Sequence, residues 1–273
     1  MIVTDEVSGA PVELTGAPVV GIWHRTLVWA VDELVKLGPD QLNSLKVRAG
    51  EHLAAILTTS FMGVAPFQVD THGGPDLLFD LSEKRPQFLP IPQSALTAAF
   101  EVKSMRGSFR EFDSEINRTN ARGGDASGRS FLLRAQTARE ILTQARPLLD
   151  SAQTGLASKV VNPDATSRNI FLIVHPFDVL AVELEHPVLG PFLPDLGYLS
   201  DIDSVWVLWV PDHLTMWSRE KKGWTDLMFD AMGPDEIPPQ ELSPLQAAEV
   251  RFLSARGDKD GSPYLFKIRD HEP

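Results

Sequence analysis

The feature that most constrains the fold of this chain is the continuous apolar run Ile-Phe-Leu-Ile-Val at residues 170–174. Side chains of a β-strand point alternately to the two faces of its sheet. A strand that is apolar at every position is therefore typical of a sheet that is covered on both faces. Helical patterns elsewhere in the sequence can supply that cover, and together they predict an α/β protein.

The rest of the chain divides into segments whose hydrophobic spacing distinguishes helices from strands. In chain order we predict a helix over 26–37, a helix from Asp40 through Leu57, strands over 61–69, 76–81 and 96–105, a helix over 130–152, a loop over 155–167, a strand over 169–174, a hairpin over 204–217, a linker over 234–244, a helix over 244–255 and a strand over 264–268. We expect one domain over 1–273, with a core at about 40–220 and a C-terminal appendage at about 235–273, because the residues after the linker are too few for an independent domain.

Two charged residues stand in the apolar strand predicted over 96–105. Glu101 and Lys103 are two positions apart, so they share one face of that strand. A carboxylate and an ammonium group on a mostly buried strand are costly unless they have a role there; the alternative is an ordinary surface ion pair. Asp76 opens the preceding apolar strand, which can pair with this one. Two carboxylates and a lysine at the ends of adjacent strands suit hydrated Mg²⁺ and a phosphodiester.

Pro75-Asp76 followed by Glu101-x-Lys103 on a later strand resembles the PD-(D/E)xK nuclease superfamily, which includes many type II restriction endonucleases, Holliday junction resolvases and RecB-like exonucleases. The predicted order of helix, three strands, helix and strand over roughly 45–175 is similar to the core order of that superfamily. The resemblance implies a restriction-endonuclease-like core, with a central mixed β-sheet flanked by helices and with N- and C-terminal embellishments. It also implies that Asp76 and Glu101 bind Mg²⁺, with Mn²⁺ as a substitute. Lys103 would position or activate the attacking water and stabilise charge on the phosphate.

The bare pattern occurs a second time, at Pro211-Asp212 and Glu220-Lys-Lys222. This second match lies in a charged, glycine-terminated turn over 218–223 without apolar neighbours, so we prefer the first match. Within the first match, Asp80 shares the strand face of Asp76 and is the alternative metal ligand.

Glu51 is placed to add a third acid. Several members of the resembling superfamily carry an extra acid on the helix before the first strand, and RecB-like members carry a histidine on a similar helix. Glu51 and His52 are neighbours on such a helix, and they point about 100° apart, so both cannot face the site equally. We prefer Glu51, because a carboxylate suits Mg²⁺ better than an imidazole does. The alternative is a solvent-facing glutamate on an amphipathic helix.

Arginines are dense in the segment after the motif, and we expect Arg106, Arg110, Arg134 and Arg139 to contact the DNA backbone. The alternative is a solvated loop. The net charge of −12 counts against a simple DNA-binding surface, because phosphate contacts normally come from basic residues. A local basic cleft in an acidic protein satisfies both observations.

These patterns together predict an Mg²⁺-dependent (endo)deoxyribonuclease, with restriction or phage defence as a role by analogy with the superfamily. The alternative is a noncatalytic nuclease-fold scaffold or binding subunit, and a homodimer or a protein partner subunit is compatible with both. The absence of cysteine excludes disulfides and thiolate metal sites. The first residues lack the features of a signal peptide and no apolar run is long enough for a membrane helix, so we expect a cytoplasmic protein.

Overall fold

The computed structural model describes residues 2–4, 11–13, 20–69, 73–84, 86, 89–105, 114, 118–119, 121–122, 136–175, 189–210, 213–230, 243–258, 262 and 264. Its strands are β1 (Ile2–Thr4), β2 (Pro11–Glu13), β3 (Val20–Trp23), β4 (Gln68–Val69), β5 (Leu77–Asp80), β6 (Thr97–Met105), β7 (Thr166–Val174), β8 (Ser204–Trp209), β9 (His213–Ser218) and β10 (Gly223–Asp230). Its α-helices are α1 (His24–Val35), α2 (Pro39–Ser44), α3 (Glu51–Met62), α4 (Ala138–Gln144), α5 (Arg146–Lys159) and α6 (Pro244–Arg256).

The centre of the fold is an eight-stranded mixed sheet with the order β3-β10-β9-β8-β7-β6-β5-β4, while β1 and β2 form a separate antiparallel pair. Strands β6, β7 and β8 run parallel, and β5 pairs antiparallel with β6. The predicted hairpin is confirmed as β8 and β9, which pair antiparallel. No helix in the part of the chain that the structure describes is both long and apolar enough to cross a membrane.

Two apolar clusters, one on each face of the sheet, form the core. Phe100, Phe171 and Ile173 pack with α1, α3 and α6, whereas Ile170 and Leu172 pack with α4 and α5. Every residue from 169 to 174 is buried, which confirms a strand covered on both faces. The α/β class and the central mixed sheet flanked by helices are therefore confirmed.

Several predicted boundaries were wrong. The helix expected from Asp40 through Leu57 is three pieces, since α2 and α3 are separated by the 3₁₀ turn Val47–Ala49, and α3 continues to Met62, into the segment predicted as a strand. The helix predicted over 130–152 is also interrupted: a capping box at Thr137 begins α4, and α5 begins at Arg146 and continues to Lys159. The loop predicted over 155–167 is therefore partly helix and partly strand.

The predicted C-terminal appendage contributes to the main core. Leu245, Ala248 and Phe252 of α6 are buried in the cluster that also contains α1 and α3. Tyr264 is fully buried against the same cluster, and the remainder of the strand predicted over 264–268 lies outside the described residues.

Candidate functional site

Asp76 and Glu101 occupy opposite positions on neighbouring strands. Leu77 of β5 pairs with Phe100 of β6 in an antiparallel register, which places Asp76, one residue earlier, across from Glu101. Directly opposed residues of an antiparallel pair point to the same face. Both side chains are buried, at 6% and 5% exposure, and Asp76 Oδ2 accepts a 2.6 Å hydrogen bond from the N–H of Val102. The two acids that the motif predicted are thus brought together at one edge of the fold.

Burial and the charges of neighbouring acids both perturb Asp76. Burial, followed by the negative charge of Glu101 and that of Glu51, raises the pKa of Asp76 from its ordinary 3.8 to about 6. The hydrogen bond from Val102 and the positive charge of Lys159 act in the opposite direction. Glu101 and Glu51 therefore both disfavour the ionised form of Asp76, which is a cost that the fold carries at this position.

Glu101 is held by two lysines. Lys103 Nζ donates to Glu101 Oε1 at 2.9 Å, which shows that these residues share one strand face as the alternation predicts. Lys159 Nζ, from the last turn of α5, donates to Glu101 Oε2 at 2.8 Å. The lysine side chains are 24% and 22% exposed, whereas that of Glu101 is 6% exposed. The carboxylate is thus buried, whereas both lysine side chains keep some contact with solvent.

Lys159 is a residue that the sequence reasoning missed. It falls in the segment predicted as a loop over 155–167, whereas Gly155 lies inside α5, one turn before Lys159 and on the same side of the helix. A Cβ atom at Gly155 would lie 3.3 Å from Glu101 Oε1, so glycine lets the helix pass close to the carboxylate. If the helix had been predicted to continue through Gly155, Lys159 would have been placed one turn later, on the side of the helix that faces Glu101.

Glu51 is the first residue of α3, and it is 5% exposed, so it is not a solvent-facing glutamate. Its Oε2 accepts a 2.7 Å hydrogen bond from the backbone N–H of Lys46, and Lys46 Nζ lies 3.4 Å from Oε1. Gly50 precedes it with φ 78°, and a Cβ there would overlap Ile173 Cδ1, so the turn that delivers Glu51 requires glycine.

His52, the alternative to Glu51, points elsewhere. Its Nε2 lies 2.6 Å from Oε1 of Glu249 on α6, and both side chains are almost completely buried. Its ring also packs against Phe252 and Tyr264. His52 thus ties α3 to α6, which supports the choice of Glu51 as the residue near Asp76.

The other predicted residues are placed as follows. Asp80 pairs with Thr97 at the far end of the β5–β6 ladder, and hydrogen bonds from Ser82 hold the pKa of its exposed carboxyl below the ordinary value, so Asp80 is not beside Glu101. Arg139 Nε donates a hydrogen bond to the backbone carbonyl oxygen of Phe192, so its guanidinium group contacts the chain at that residue. Arg106, Arg110 and Arg134 lie outside the described residues, as do Pro211 and Asp212 of the second match.

The donor set is one that a hard divalent cation prefers, because it consists only of carboxylate oxygens. The raised pKa of Asp76 also fits such an ion, since a positive charge would offset the repulsion from Glu51 and Glu101. As they stand, however, both oxygens of Glu101 are bonded to lysines. Among the described residues no group of three or more His, Asp or Glu side chains is arranged to hold a metal ion. The oxygen donors thus suit the ion in type but are not arranged around one, and at Glu101 an ion would compete with the two lysines.

No protein-family model matches the chain, and no significant match was found among curated proteins or among solved structures. The geometry of the site is therefore what bears on function.

Proposed function

We propose that this protein is an Mg²⁺-dependent (endo)deoxyribonuclease that hydrolyses DNA phosphodiester bonds at the site formed by Asp76, Glu101 and Lys103. The observation that carries the proposal is the placement of Asp76 directly across from Glu101, with the Lys103 ammonium 2.9 Å from Glu101. The order α3, β4, β5, β6, α4–α5 and β7 supports a restriction-endonuclease-like core. A role in restriction or phage defence, and a cytoplasmic location, extend the same proposal by analogy.

In this function the acids hold the divalent ion, and Asp76, Glu101 and Glu51 are the residues that would do so. The chemistry that the ion supplies when bound is polarisation of the phosphate and a lower pKa for a water molecule. Lys103 lies on the exposed side of Glu101, where its ammonium group can orient the attacking water or offset the negative charge that develops on the phosphate. Mn²⁺ prefers the same oxygen ligands and would replace Mg²⁺.

One observation favours a second function, that of a noncatalytic scaffold or binding subunit. Lys103 and Lys159 already neutralise Glu101, and Lys46 lies beside Glu51, so the acids are partly balanced without any ion. In a scaffold these contacts would be permanent ion pairs, and the acidic exterior would bind a protein partner or a second copy of the chain.

A cleavage screen separates the two functions. Duplex, single-stranded and branched DNA are incubated with the protein and Mg²⁺ or Mn²⁺, and the same reactions are run with the variant Glu101→Gln. Cleavage by the wild type that needs the divalent ion and is lost in E101Q supports the nuclease. No cleavage of any substrate, together with no calorimetric binding of Mn²⁺, would leave the scaffold.

A further inference from the structure

The contact between Lys159 and Glu101 has a functional consequence if the site binds a metal. We propose that Lys159 is a phosphate-contacting residue which clamps Glu101 in the metal-free protein and moves to the DNA backbone when a divalent ion takes its place, so that metal and DNA bind cooperatively. The inference rests on the proposed nuclease function and deepens it, since it names a further residue of the site and the way in which that residue acts.

The geometry of Glu101 sets up a competition between partners. Each oxygen of this carboxylate accepts a hydrogen bond from a different lysine, at 2.9 Å from Lys103 and at 2.8 Å from Lys159. A divalent ion that binds Glu101 competes with both ammonium groups for the carboxylate and is repelled by their charge, so its binding favours the departure of one of them. Lys159 is the better candidate, because Lys103 is anchored on the same strand two residues away, whereas Lys159 reaches Glu101 from the last turn of a helix.

The charges of the site favour a replacement partner for the displaced lysine. The ion pairs and the charges acting on Asp76 join three carboxylates, Glu51, Asp76 and Glu101, and three ammonium groups, Lys46, Lys103 and Lys159. A divalent ion bound at Glu101 adds positive charge close to Lys103 and Lys159, in excess of the charge already there. A phosphodiester is an anion that offsets this excess and gives Lys159 an oxygen to bind. Metal binding and DNA binding are then linked, and each must raise the affinity of the other by the same factor.

The helix that carries Lys159 is adapted to this position. Gly155, one turn earlier, allows α5 to approach Glu101 so closely that a Cβ atom would lie 3.3 Å from Oε1. The Lys159 side chain is 22% exposed, so its ammonium group can reach solvent, and a substrate there, without passing through the core.

The first measurement is the affinity for a fluorescent DNA duplex by anisotropy, with and without Ca²⁺, after a gel has shown that the duplex stays intact. We expect Ca²⁺ to tighten DNA binding by the wild type roughly 5- to 150-fold, the usual range of coupling between two sites. In Lys159→Gln the factor should be clearly smaller than in the wild type, because the contact between the ion and the phosphate remains but the released lysine is missing. The dependence of log affinity on log salt should also become shallower, by about one phosphate contact, which a purely structural role would not produce.

The second measurement is calorimetric titration with Mn²⁺ in the absence of DNA. K159Q should bind Mn²⁺ more tightly than the wild type, because the ammonium group that competes for Glu101 is gone. Lys36→Gln is the matched control, since it removes the same charge from an exposed lysine paired with Glu33 on α1, and it should behave as the wild type. Lys159→Met, which keeps the aliphatic stem, replaces K159Q if urea unfolding shows that K159Q is not folded.

The proposal is overturned if K159Q and K36Q give the same coupling factor, salt dependence and Mn²⁺ affinity as the wild type. If the wild type still cleaves DNA with Mg²⁺ in that case, only the role of Lys159 is wrong and the nuclease remains. If the wild type neither cleaves DNA nor binds divalent ions, the proposed function itself fails and the role of Lys159 fails with it.

Discussion

Replacing Asp76 by asparagine should make the protein more stable at neutral pH. The folded protein holds the Asp76 proton up to about pH 6, whereas the carboxyl group of an unfolded chain loses it near 3.8. The folded state therefore binds more protons between these values, and the contribution of Asp76 to the free energy of unfolding falls as the pH rises through this window. At about 1.36 kcal/mol per pH unit, the ionised Asp76 costs roughly 3 kcal/mol above pH 6.

Asparagine removes this cost and keeps the shape of the side chain. An amide oxygen can still accept the hydrogen bond that Val102 donates to Asp76 Oδ2. The assay is urea unfolding of the wild type and Asp76→Asn at several pH values from 4 to 8. We expect D76N to be more stable by about 3 kcal/mol at pH 8, with the difference shrinking through pH 6 and disappearing near pH 4.

Asp80→Asn is the matched control, since it makes the same chemical change on the same strand. Ser82 lowers the pKa of the exposed Asp80, so the sign is opposite: D80N should lose a little stability above the ordinary pKa, and this loss should vanish as the pH falls. The reasoning is refuted if D76N is less stable than the wild type at pH 8, or if the difference does not change with pH. Adding Mg²⁺ at about 100 times its Kd should stabilise the wild type by about 2.7 kcal/mol and leave D76N unchanged.

Three further predictions concern single residues. Lys103→Ala should abolish DNA cleavage while preserving the fold and most of the DNA affinity, because one ammonium group is a small share of the phosphate contacts. Gel assays measure the cleavage and anisotropy measures the affinity. Full cleavage by this variant would show that Lys103 is not part of the site. Gly155→Ala should change the free energy of unfolding by no more than about 1 kcal/mol. It should reduce the cleavage rate by up to about 100-fold, because the new Cβ would displace Glu101. An unchanged cleavage rate would contradict this prediction. His52→Ala should lower stability in urea by about 3–5 kcal/mol, because it leaves the buried Glu249 carboxylate unpaired, and a loss under 1 kcal/mol would contradict that reading of the pair.

The sequence was informative wherever side-chain periodicity alone decides the structure. The apolar run in β7 and the alternation around Glu101 and Lys103 predicted the covered sheet and the shared strand face, and both are present. The resemblance to the Pro-Asp and Glu-x-Lys motif also predicted that Asp76 and Glu101 would lie on neighbouring strands, and the register of β5 and β6 places them opposite each other.

The sequence failed where tertiary packing overrides local preference. The helix was predicted to end at residue 152 and a loop to begin at Gly155, so Lys159 was missed with the last part of the helix. Glycine usually costs about 1 kcal/mol inside a helix. In the fold the approach of α5 to Glu101 selects glycine. The starts of α4 and α5 were missed for a different reason. The capping box of Thr137 with Glu140 marks the start of α4, and the proline after Arg146 marks the start of α5. The long apolar pattern across both helices concealed these two local signals.

An acidic chain can bind DNA only if the DNA phosphates contact a small part of the surface where basic residues are concentrated. Charges separated by more than about 8 Å are largely screened at physiological ionic strength, so most of the net charge of −12 does not reach a phosphate at the site. A phosphate bound at Glu101 would meet Lys103 and Lys159 there, in addition to any contacts farther along the DNA backbone. In the metal-free protein both lysines are hydrogen-bonded to Glu101, and a divalent ion would release Lys159. A protein of this charge should therefore bind DNA weakly without metal and well with it, whereas a scaffold that uses the same residues as fixed ion pairs should be indifferent to the ion.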